Sequence, residues 1–142
     1  MGIKENQDEI VEEFAFLDEW MDKYNYLIEL GKNIPLLDEA GKKDENLIRG
    51  CQSRVWLDAR FRDGVVDYRA DSDAIITKGI AALLIKVLGG HRPDEILDTE
   101  LYFIDKIGLK EHLSPTRSNG LVSMLKQMKL YALAFKTKEE SK

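Results

Sequence analysis

One cysteine, three prolines and two histidines in 142 residues exclude a good deal. A single thiol closes no internal disulfide and builds no all-cysteine metal cage, and a chain without disulfides suits a reducing cytosol, so a cytoplasmic location is expected. Neither His91 nor His112 has a second His, Cys or carboxylate at ligand spacing on its predicted helix; no metal site is expected. Long hydrophobic runs are missing too. The longest, Ile80 to Ile85, is far short of a bilayer span. Positive charge is scattered: 21 Lys plus Arg stand against 26 Asp plus Glu, a formal net charge of -5, and no basic run exceeds Lys42-Lys43. A nucleic-acid binder needs clustered cations to displace counterions. Met1 to Glu13 carries six charged side chains and no apolar segment, so it reads as neither a signal peptide nor an acid-poor transit peptide.

What is present fits one domain, residues 1–142, with 1–7 and 136–142 expected to fray. Ile10, Phe14, Leu17, Met21, Tyr24 and Ile28 recur at steps of four and three, the stripe of an amphipathic helix. Asp18 offers a cap inside that stripe, which leaves one long helix and two short ones as alternatives. Gly31 ends the segment and Pro35 confirms the stop. Leu36 to Asn46 is charged and reads as a surface loop. Asp71-Ser72-Asp73 supplies caps for a helix from about Ala74 to Leu88 that is apolar nearly all round. Pro93-Asp94-Glu95 opens a short helix. A last helix begins near Pro115, with Leu121, Leu125, Met128, Ala132 and Phe135 facing inward.

The centre registers itself. Asp63-Gly64 is a two-residue hairpin loop, and setting Arg62 opposite Val65 pairs Phe61 with Val66, Ala59 with Tyr68 and Leu57 with Ala70 on one face. The other face receives two opposite-charge pairs, Arg60 with Asp67 and Asp58 with Arg69. A one-residue slip would destroy both sets together. Trp56 then falls on the charged face, either under a helix or exposed to a partner, with helical cover favoured. Two strands alone are marginal in water; Asn46 to Ile48, pairing back on Arg54 to Leu57, is the expected third. The fold class is therefore α+β, a three-stranded antiparallel sheet packed with N-terminal, central and C-terminal helices.

That third strand would leave Cys51 in the loop between Gly50 and the sheet. A structural cysteine is usually buried mid-element as a small hydrophobe; this one sits at a bend, where a thiol is presented to partners. Arg49 and Arg54 flank it, and cationic neighbours favour the thiolate. Arg117 stands at a predicted helix start, where the helix dipole disfavours a cation, which points to another use for it. A cysteine hydrolase would need a histidine close to Cys51, and His112 is the candidate the spacing leaves open.

Four stretches together resemble the SufE family, the sulfur-acceptor proteins of iron–sulfur cluster assembly. They are Trp20 with Tyr24 and Leu27-Ile28-Glu29-Leu30-Gly31; Ile48 to Leu57 with Gly50-Cys51-Gln52-Ser53; Asp71-Ser72-Asp73-Ala74 with Lys78-Gly79; and His112 to Leu121. The resemblance implies a fold and a chemistry. Cys51 would accept sulfane sulfur as a persulfide, Gly50 and Gln52 would shape its loop, Arg117 would lie close to it, and Asp73 would sit near the loop's surroundings. The donor implied is a SufS-like cysteine desulfurase that carries the pyridoxal phosphate, this chain needing no cofactor of its own. The acceptor implied is a SufBCD-like scaffold complex, and the protein would be a monomer or weak homodimer. A regulatory module that stimulates a desulfurase without taking sulfur is the alternative.

Overall fold

The computed structural model describes residues 2–51 and 53–141. Helices α1 (Ile3–Ala15) and α2 (Trp20–Lys32) lead into two short 3-10 turns at Glu39–Gly41 and Asp44–Asn46. Strands β1 (Val55–Arg62) and β2 (Val65–Ser72) follow, then helices α3 (Ile75–Leu88), α4 (Pro93–Asp98), α5 (Phe103–Lys106), α6 (Leu109–His112) and the long α7 (Pro115–Glu140).

The apolar stripe at the N-terminus is thus split into two helices. Asp18 is not the cap of the second: Glu19 occupies that position, without a side-chain bond to the backbone. Within the ends expected to fray, residues 3–7 belong to α1 and 136–140 to α7. Ile3 and Gln7 are buried, and the Gln7 amide donates to the Glu100 carbonyl while its oxygen accepts from the Phe103 N–H. These long-range bonds, invisible in local sequence, hold the first turn down.

β1 and β2 pair antiparallel in the register read from the sequence, Arg62 against Val65 through Leu57 against Ala70. The face carrying Leu57, Val66, Tyr68 and Ala70 is buried between α3 and α7: Phe61 stacks on Phe135 at 5.5 Å, and the Tyr68 hydroxyl donates to the Met128 carbonyl at 2.6 Å. On the other face neither expected charge pair closes into an ion pair among the described residues.

Among the described residues the sheet has two strands, and the expected third is replaced by something smaller. Leu47 makes a single bridge to Trp56, and the Ile48 N–H donates to the Val55 carbonyl at 2.8 Å. Beyond these the chain turns away at Gly50, so one ladder step forms and no strand.

Asp71 is not a helix cap either. It is buried, with Lys42 Nζ at 2.6 Å and Lys78 Nζ at 3.3 Å. Burial alone would raise its carboxyl, but hydrogen bonds from Lys42, the Ser72 N–H and Lys78 together hold it below the usual carboxylate range. The segment expected to be a plain surface loop thereby closes onto the sheet. Leu37 is buried, and Trp56 is half-buried, with Lys42 6.0 Å from its ring centroid and Leu47 bridged to its backbone.

α2 crosses α3 at two glycines, Gly31 and Gly79. A Cβ on Gly79 would run into the Leu27 carbonyl, and one on Gly31 would lie 3.1 Å from the Gly79 nitrogen. Backbone cannot yield as a side chain does. Gly79→Ala gains helix propensity of up to about 1 kcal/mol, yet the forced separation of two helices costs about 1–3 kcal/mol or more. A net loss of stability is expected in urea unfolding, and an unchanged midpoint would contradict this crossing.

Candidate functional site

The chain enters the site at Gly50, whose φ of +92° lies in the left-handed region; a side chain there would also meet Ser123 Oγ at 2.7 Å. This turn directs Cys51 toward α7. The half-buried Cys51 Sγ lies 3.8 Å from the Gly120 carbonyl, toward which the thiol donates. A Cβ on Gly120 would be 3.3 Å from the sulfur, so the glycine inside α7 is what lets the loop pack so near.

Around the sulfur is a pocket of about 310 Å³ lined by Ser53, Thr77 and the start of α7: Ser114, Thr116, Arg117 and Gly120. Ser114 caps α7, its hydroxyl accepting from the Arg117 N–H at 3.3 Å. The exposed Arg117 therefore stands on the first turn of α7, on the wall of the Cys51 pocket. Asp73 lies outside that wall. Its carboxylate accepts from the Arg54 N–H at 3.1 Å, its own N–H donates to the Arg54 carbonyl at 3.2 Å, and Ser72 Oγ donates to the same carbonyl at 2.8 Å. Asp73 thus pins the loop where it rejoins the sheet. Gln52 lies outside the described residues.

The thiol's electrostatics differ from the reading based on its neighbours in sequence. Arg49 and Arg54 are exposed, and burial pushes the Cys51 thiol above its ordinary pKa. At neutral pH it is therefore a thiol, and alkylation by iodoacetamide is expected to climb at higher pH than for a small free thiol such as glutathione. A rate that levels off below the free-thiol pKa would contradict this.

Neither histidine reaches this pocket. His112 stacks on Trp20 at 3.7 Å between centroids and 18° between planes, and the Tyr24 hydroxyl donates to its carbonyl at 2.6 Å. Trp20 and Tyr24 on α2 thereby anchor the segment that leads into Ser114 and Arg117. His91, between the end of α3 and the start of α4, is buried: Asn6 Nδ2 lies 3.1 Å from its Nε2, and burial lowers its pKa. With no imidazole or carboxylate on the described walls of the Cys51 pocket, the general base of a cysteine hydrolase is missing there. Among the described residues no group of three or more His, Cys, Asp or Glu can hold a metal ion, and no helix is long and apolar enough to cross a membrane.

Residues 8–132 match the SufE family, described as an Fe-S metabolism associated domain. The chain belongs to the SufE family. It is 44% identical over 127 residues to an uncharacterized SufE-like protein of Rhizobium meliloti, covering 86% of this chain and 91% of that one. It is 45% identical over 133 residues to the chloroplastic/mitochondrial SufE-like protein 1 of Arabidopsis thaliana, covering 93% of this chain but 36% of that longer one. A solution structure of a hypothetical protein from Thermus thermophilus has the same fold, with a TM-score of 0.77 at 22% identity, covering 93% of this chain and 96% of that one.

Within that SufE frame, the residues singled out from sequence divide into two groups. Cys51 and Arg117 meet at one pocket, whereas Gly50 supplies the turn into it and Asp73 acts on the loop's far end. Sequence reasoning assigned no part in the pocket to Thr77, Ser114, Thr116 or Gly120. The available signals were Ser114 before Pro115, a capping pattern, and a glycine inside a helical stripe, which marks a close approach.

Proposed function

We propose that this protein accepts sulfur from a SufS-like cysteine desulfurase onto Cys51 and relays it, as a persulfide, to a SufBCD-like scaffold in the cytoplasm. The observation that carries the reading is the seat of Cys51, the chain's sole thiol, in a small polar pocket walled by Arg117, in a SufE-family chain. The Cys51 sulfur, once deprotonated, attacks the outer sulfur of the desulfurase persulfide. A new S–S bond forms at Cys51, the old S–S bond breaks, and the desulfurase thiolate leaves and takes up the proton. Persulfide plus thiol becomes thiol plus persulfide, with no external oxidant or reductant.

The pocket fits a carrier. Desolvation keeps the resting thiol protonated and slow, so the free protein does not react indiscriminately. Docking a desulfurase that contacts the loop's open form better than its closed form draws Cys51 out. The Arg117 guanidinium, a cation on the same wall, stabilises a thiolate or persulfide anion that forms there. Pyridoxal phosphate remains on the desulfurase. Incubated with a cysteine desulfurase and cysteine, the intact protein is expected to gain the mass of one or more sulfur atoms; an unchanged mass beside an actively turning-over desulfurase would refute the relay.

A further inference from the structure

A cavity of about 620 Å³, remote from Cys51, opens beside the outer edge of β2. No residue lines both pockets. Its volume is in the range that small-molecule sites occupy.

The hydrogen-bond pattern of β2 shows what this cavity offers. The Val66 N–H donates to the His91 carbonyl and the Gly90 N–H to the Val66 carbonyl, both at 2.8 Å. The Ala70 N–H donates to the Pro35 carbonyl at 3.0 Å, and the Leu37 N–H to the Ala70 carbonyl at 3.2 Å. Residues 66 and 70 thus turn their peptide groups away from β1 and find partners. By the two-residue period of a strand, Tyr68 between them turns its N–H and C=O the same way, and it lines the cavity. Neither group has a protein partner among the described residues. The edge lacks a backbone partner at this one residue, which is 2% exposed, and is paired on both sides of it.

A ligand residue set opposite Tyr68 would donate its N–H to the Tyr68 carbonyl and accept from the Tyr68 N–H. Side chains of opposed residues share a face, so its side chain would lie on the core side. There the lining is Ala82 and Ile85 of α3 with Leu30 and Ile34, which is apolar. The mouth is cationic, with Arg60, Arg62 and Arg69 against the single carboxylate of Asp67. None of the three arginines forms an ion pair among the described residues, in a chain whose net charge is -5. If the ligand's own carbonyl is a carboxylate, one oxygen accepts the Tyr68 N–H and the other is free for a guanidinium. A longer peptide would have to continue along an edge that Pro35 to Leu37 and Gly90 to His91 already occupy.

We propose that this cavity binds a small N-acylated amino acid with an apolar side chain, held by the Tyr68 backbone, the arginine mouth and the α3 floor. The inference is independent of sulfur transfer. The test is titration of the full-length protein with N-acetyl-leucine, followed by amide NMR, alongside N-acetyl-leucinamide, inorganic phosphate and an acetylated tripeptide ending in leucine. N-acetyl-leucine should shift the Tyr68 and Gly90 amides saturably and bind roughly tenfold or more tighter than its uncharged amide, the ratio one charge-assisted hydrogen bond gives. Phosphate should leave the Tyr68 amide unmoved, and the tripeptide should bind more weakly. Absence of a Tyr68 shift, equal binding of the uncharged amide, or a matching response to phosphate would overturn the proposal. Tighter binding of the tripeptide would overturn it in favour of a polypeptide C-terminus.

Discussion

Tyr68→Ala is expected to destabilise the protein by about 3–5 kcal/mol, the usual cost of emptying a fully buried large aromatic site. Tyr68 is 2% exposed, it lies between the helices on the core face of the hairpin, and its hydroxyl ties β2 to α7 through the Met128 carbonyl. Truncation loses the packing and that tie together. One position away in the cross-strand register, and so on the opposite face, Arg60→Ala should change stability by less than about 0.5 kcal/mol, because Arg60 is exposed and makes no ion pair among the described residues. Urea melts of the two variants decide it. Equal losses would mean that the two faces of the hairpin are wrongly assigned.

The second large effect is functional. Cys51→Ser replaces the sulfur of the proposed relay by a smaller oxygen that can still donate toward the Gly120 carbonyl, so the fold is kept while exchange at sulfur is lost. Sulfur loading should vanish, and any stimulation of a cysteine desulfurase that depends on removing its persulfide should vanish with it. Thermal stability should stay close to the parent's. A Ser variant that stimulates as well as the parent would make this protein a regulatory module acting through its surface alone.

Much of this was legible in the sequence because local rules decided it. Asp63-Gly64 sets the hairpin loop, and only one register sorts Phe61, Val66, Tyr68 and Leu57 from Arg60, Asp67, Asp58 and Arg69. What stayed hidden depends on contacts distant along the chain. Asp71 looks like a helix cap until Lys42 folds over it; nothing near Gln7 in sequence announces its bonds to Glu100 and Phe103. Asn46 to Ile48 has the residues for a third strand, yet Gly50 turns the chain after a single ladder step.

The same limit applies at the site. The glycine before Cys51 and its place at a bend were readable, and so was the helix start bearing Arg117. The state of the thiol was not. Arg49 and Arg54 are nearest in sequence but are exposed, whereas α7, far along the chain, buries the sulfur and raises its pKa. The neighbours in sequence favour a thiolate but leave its protonation state open; burial against α7 raises its pKa.

In the proposed relay, sulfur travels on Cys51 itself. Loading the protein with a cysteine desulfurase and cysteine, trapping it with iodoacetamide and sequencing the peptide that spans Ile48 to Val55 tests this most directly. The expected product is a Cys51 alkylated through one or more additional sulfur atoms, appearing only when desulfurase and cysteine are both present. A Cys51 alkylated directly on its own sulfur, in protein that has stimulated the desulfurase, would contradict it.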